Sequence, residues 1–222
     1  MSGRGDAVLF PIGHYLGHFY PGPGQPLAHH LIRVGTQSHR VADGDQMDVW
    51  ASTHGPGGDP LLDPPWTRDA ALAHATENEV EDAARHLDEL ISLGLVVEVA
   101  DDGQAADFAA RHRLQPLMVG LGNSPDDPYE SIGIPGLPVA ARVRPRVGEV
   151  WEWVGLWPSL ASAQESFAGI AAQAGRETTG TAGDLRFLLG AVQTLVGASV
   201  AYLDTAGGGR LARRHDLPPL RP

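Results

Sequence analysis

Ten histidines are the residues whose type and spacing first suggest chemistry, above all Gly13-His-Tyr-Leu-Gly-His18 with His29 and His30 shortly after. Two histidines four apart can share a helix face and ligate zinc, and a loop could bring His14, His18 and one of His29 or His30 onto one ion. Gly13, Gly17 and Pro21 argue against a helix here, and the glutamate that a metalloprotease motif places between its histidines is missing. These four are candidate ligands, and the expectation is that the chain holds neither metal nor cofactor. Hydrolytic machinery is equally faint, because no Gly-x-Ser-x-Gly elbow exists and Asp126-Asp127 before Pro128 reads as a polar turn. With no cysteine there is no thiolate chemistry, and with no lysine there is no Schiff base or P-loop cation. A binding protein is expected ahead of an enzyme or an accessory subunit without a recognisable motif.

Binding candidates come from the cations and the aromatics. All 16 basic residues are Arg, and the net charge is -11, which opposes a polyanionic partner unless the arginines share a surface. The candidates for nucleic acid are Arg142, Arg144, Arg146, Arg186, Arg210, Arg213 and Arg214. Trp50 and Trp151 sit on apolar helix faces and read as core anchors, whereas Trp66, Trp153, Trp157 and Arg85 are the candidates for contact with a protein or peptide partner.

Those residues must be positioned by a small set of elements. Val8 to Gly24 reads as a Gly/Pro loop and Leu27 to Val34 as a strand. A first helix follows over Asp45 to His54, capped by Asp43 or Asp45 and stopped by Gly55, Pro56, Gly57 and Gly58. A second runs from Arg68 to about Ala75 behind Thr67, and a third from about Glu79 to Leu93 with Gly94 as its terminus. Leu95 to Val99 is a strand, closed by the turn signal Asp101-Asp-Gly103. The pattern then returns: Val139 to Val143, Glu149 to Leu156 with Trp151 matching Trp50, Leu160 to about Gln173, Asp184 to Val196, and the strand Ala198 to Leu203. The lead-ins also match, Pro11-Ile-Gly-His-Tyr-Leu-Gly17 against Leu117-Met-Val-Gly-Leu-Gly-Asn123, so the chain reads as a duplication of pattern.

Leu87-Asp-Glu-Leu-Ile-Ser-Leu-Gly-Leu-Val-Val97 resembles the exit from the third helix into the wing in winged-helix families. The resemblance implies an α+β, mainly helical fold of two tandem winged-helix-like domains, at 1–113 and 114–209, with a basic flexible tail over 210–222. Winged helices of similar pattern include peptide-recognition modules and DNA-binding regulators. In the first copy the outward face of the third helix is acidic, with Glu79, Glu81, Asp82, Asp88 and Glu89 relieved by Arg85 and His86. The second copy offers only Arg186, Gln193 and Thr194 as base readers. A protein or peptide adaptor is therefore expected, with a DNA-binding transcriptional regulator as the alternative and a homodimer compatible with both. Pro11 and Gly13 interrupt the only N-terminal apolar stretch, so a cytoplasmic protein without a membrane span is expected. The Lys-free, Arg/Ala/Gly/Pro-rich usage resembles that of high-GC bacteria such as actinobacteria.

Overall fold

Val8-Leu-Phe-Pro11, expected within a loop, is instead a strand with apolar residues on both faces, and it becomes the seam of the molecule. The computed structural model describes residues 6–207. Its first half runs β1 (Val8–Pro11), β2 (His14–Phe19), β3 (His29–Val34), β4 (Gln37–Val41), α1 (Gly44–Ser52), α2 (Arg68–Glu77), α3 (Ala83–Ser92) and β5 (Val96–Val99). Helix α4 (Asp102–Arg111) leads into the same order again: β6 (His112–Pro116), β7 (Val119–Ser124), β8 (Asp127–Gly133), β9 (Ala141–Val143), α5 (Pro145–Trp153), α6 (Leu160–Gln173), α7 (Leu185–Gly197) and β10 (Ala201–Thr205). In each half the first and last strands pair antiparallel, β1 with β5 and β6 with β10, while the three between form a meander.

The ribbon β1–β5 separates two cores. Leu9 and Val96 enter the core of the first half, packed against Leu87, Leu90 and Trp50. Phe10 and Val99, on the opposite face, enter the core of the second half with Phe108 and Leu188. A strand packed on both faces carries apolar residues on each, and Leu95-Val-Val-Glu-Val99 does so at every position but one. Its one charge, Glu98, meets the buried Arg68 guanidinium at 2.5 Å, and Asp88 meets the same group at 2.7 Å. Helix α7 buries a broad apolar stripe, Phe187, Leu188, Leu189, Ala191, Val192, Leu195 and Val196, in the second core.

The structure corrects the expected fold class. Helix accounts for 39% and strand for 26% of a mixed α+β architecture, so it is not mainly helical. Nor does a wing follow α3. The Asp101 side chain accepts from the Gln104 amide and caps α4, and β5 pairs back onto β1. The meanders escaped the periodicity reading because they carry little apolar pattern: β7 is exposed along its whole length and β4 is Gln-Ser-His-Arg-Val. Helix α3 starts later than expected, since Glu79 and Asp82 take positive φ (61° and 47°) ahead of it. The matching of the lead-ins also slides by one residue. Ile12 donates to the Leu95 carbonyl as Leu117 does to that of Val200, and both β2 and β7 carry a bulge, ending at Gly17 and Gly122. The segment 210–222, with Arg210, Arg213 and Arg214, lies outside the described residues.

Candidate functional site

The halves differ most in one connection. In the second, α5 reaches α6 through the short stretch 154–159, whereas in the first, α1 and α2 are joined by a Gly/Pro-rich strap over residues 53–67. Long ordered loops of this kind are where binding residues concentrate. The strap lies across α7, which turns Gly190, Gln193, Thr194 and Gly197 toward it, positions that share one helix face. A Cβ on Gly190 would come within 2.7 Å of Pro60 Cβ, and one on Gly197 within 2.6 Å of the Gly57 nitrogen, so bare backbone is what lets the strap approach.

Side chains pin it there. Thr194 Oγ1 donates to the Gly58 carbonyl at 2.6 Å. Gln193 Nε2 donates to the carbonyls of Leu9 (3.0 Å) and Trp66 (2.9 Å), and its Oε1 accepts from the Trp66 amide at 3.1 Å. The Trp66 indole N–H donates to the Ser52 carbonyl at 2.9 Å, and Asp59 pairs with Arg144 of the second half.

Between the strap, the end of the β1–β5 ribbon, α4 and α7 lies a cleft of about 670 Å³. Phe10, Val99, Ala105 and Leu189 supply an apolar floor, Pro56, Pro60, Pro64, Pro65 and Trp66 a wall, and Asp59, Asp63, Asp101, Asp102 and Arg186 the polar positions. Arg186 grips both oxygens of Asp102 at 3.1 Å. His54 also lines the cleft; burial pushes its pKa below the usual histidine value, against the pull of the Trp50 and Ala51 carbonyls. It is neutral at pH 7, with Nδ1 3.1 Å from the Trp50 carbonyl. Thr194 carries the one hydroxyl among the lining residues, and that hydroxyl is already bonded to backbone.

The residues singled out in the sequence are dispersed. Trp66 walls the cleft and Arg186 stands at it. Trp157 packs on Phe167 at 5.5 Å, Trp153 is exposed on α5, and Arg85 lies on α3 between Asp82 and Glu89. Arg142 and Arg144 sit over the Tyr129 ring at 5.6 and 6.0 Å, each also paired with a carboxylate, of Asp127 and Asp59 respectively; Arg146 donates to the Gly180 carbonyl at 2.8 Å. Gln193 and Thr194, expected as outward-facing readers, are spent on the strap, and His86, expected on an open face, is buried. Among the histidines the His18 and His30 rings lie 4.8 Å apart but tilted by 51°, while His14 stacks on Tyr202 and His29 on Phe19. The described residues close enough to share an ion are instead Asp43, Asp45 and His86, but the Arg85 guanidinium already meets His86 Nε2 at 3.1 Å. Sequence reasoning missed the cleft carboxylates and the strap; the run of four prolines ending at Trp66 was the available signal.

No protein-family model, curated protein or solved structure matches this chain.

Proposed function

We propose that this chain is a non-catalytic binding protein that holds a segment of a protein or peptide partner in the cleft between its halves. One observation carries the reading: an apolar, proline-walled cleft of about 670 Å³ whose hydroxyl and amide groups are consumed by the scaffold. Such a volume lies in the range that buries most of a drug-sized ligand or a few residues of peptide. Proline and aromatic walls hold apolar side chains with little ordering cost of their own. The net charge of -11 favours partners other than nucleic acid.

A second reading has its own observation, the grouping of Arg142, Arg144 and Arg146 near Tyr129. A phosphate backbone would first have to displace Asp127, Asp59 and the Gly180 carbonyl from them, which lowers their worth to DNA.

The test is selection of displayed random peptides on the full chain, scored against Ala100→Trp, which places an indole at the cleft from an exposed position. The reading expects selected peptides to lose at least about tenfold in affinity on the variant. Equal binding to both proteins, or salt-labile duplex DNA binding with no peptide selected, would overturn it.

A further inference from the structure

The chemistry of the cleft narrows what enters it, on the premise that the cleft is the partner site. We infer that it receives an arginine or lysine side chain of the partner protein, next to a bulky apolar residue. The neutral side-chain donors at the cleft are spent internally: the Gln193 amide on Leu9 and Trp66, the Thr194 hydroxyl on Gly58 and the Trp66 indole on Ser52. The one cation lining it, Arg186, is paired through Nη2 with both oxygens of Asp102. The charged acceptors outnumber it.

Asp63 gives one oxygen to the Asp59 amide at 2.7 Å and Asp101 gives one to the Gln104 amide at 2.9 Å, leaving each a second oxygen. Neither has an ion-pair partner among the described residues, whereas Asp59 and Asp102 are neutralised by Arg144 and Arg186. His54 Nδ1 faces the Trp50 carbonyl and so carries the proton, which makes Nε2 a further acceptor. The strap adds to the bias, because Pro56, Pro60, Pro64 and Pro65 have no N–H and present carbonyls alone.

An anion entering here would meet two uncompensated carboxylates, and the one cation at the cleft, Arg186, is already paired with Asp102. A guanidinium or ammonium brings charge and donors together, and its aliphatic stem lies against proline and the Trp66 face. The floor of Phe10, Val99 and Leu189 then takes the adjoining apolar side chain. An acidic protein also steers a basic segment toward itself over longer range.

Fluorescence anisotropy on the full chain tests this, using the tightest peptide from the selection above. Each of its cationic residues is replaced in turn by a neutral isostere, citrulline for arginine or acetyl-lysine for lysine. Both are titrated against wild type and the double variant Asp63→Asn/Asp101→Asn, in which asparagine keeps the cap of α4. The expected result is a loss of about tenfold for the neutral peptide on wild type, the size of one charge-assisted hydrogen bond. On the double variant the two peptides should differ by less than about twofold. Selected peptides without a cation, or a neutral isostere that binds equally well to wild type, would overturn the inference while leaving the cleft as the site. Competition by spermidine at the peptide's own concentration would overturn it in favour of a small-cation site. Peptide binding that survives Ala100→Trp would remove the cleft reading itself.

Discussion

His30 and Glu130 occupy equivalent places in the two halves, opposite Val41 and Val143 in their meanders, and they titrate in opposite senses. Burial, then His18, pushes the His30 pKa down, whereas burial, then Glu152 and Glu149, pushes the Glu130 pKa up. Glu130 therefore binds its proton more tightly in the folded chain. Its contribution to stability is present in full below about pH 4.5 and is lost as pH rises through the raised folded value. Glu130→Gln should stabilise the protein at pH 7 by about 0.5 kcal/mol, the group being partly solvated and screened, and should have no effect at pH 4. Denaturant unfolding at both pH values checks this, and a variant less stable at pH 7 would contradict it. His30, His54 and His112, all lowered first by burial, act the other way: the folded chain holds them neutral, so stability is lost as pH falls below the ordinary histidine value of 6.5.

At the scale of elements, the strap and α7 form one device. The glycines of α7 cost the helix some intrinsic stability, and they are retained where the strap's backbone passes. Gly197→Ala would place its Cβ 2.6 Å from the Gly57 nitrogen and 2.8 Å from the His54 oxygen, both backbone atoms that cannot rotate away. We expect a loss of about 1–3 kcal/mol, with a red shift of Trp66 emission and new proteolysis within 54–66 as the strap lifts. An unchanged melting curve would mean that the strap is held by its side-chain bonds alone. Elements governed by local chemistry were legible: Ser159 caps α6 through a capping box, and the helix spans Leu160–Gln173 as its pattern predicts. Strands β2, β4 and β7 were not, because their stabilisation comes from cross-strand pairs that a single segment does not display.

For the whole molecule, the shared ribbon decides cooperativity. Phe10 stacks on Phe108 at 4.4 Å inside the core of the second half, and α4 packs against α6. The core of the second half takes Phe10, Ile12 and Val99 from the first and does not close without them. The full chain should unfold in one transition, with tryptophan fluorescence and far-UV circular dichroism superimposable. Residues 112–207 expressed alone should lack a cooperative melt, since they would lose Phe10, Val99, Ala105 and Phe108 from their interior. Two separated transitions in the full chain would show instead that the ribbon joins independent units.

What the sequence determined by itself was local: the caps at Asp43 and Thr67, the glycine stop at Gly94, the spans of α6 and α7 and the recurrence of one order of elements in both halves. Each rests on neighbours a few residues apart, where periodicity and capping chemistry act. Tertiary structure alone decided which face of Val8–Pro11 meets which core, that Gln193 joins Leu9 to Trp66, and that Asp63 and Asp101 flank one apolar cleft. Those pairings join residues far apart in the chain. Their energy comes from burial and from backbone groups that must find partners once water is excluded, a demand that exists only after the halves have come together.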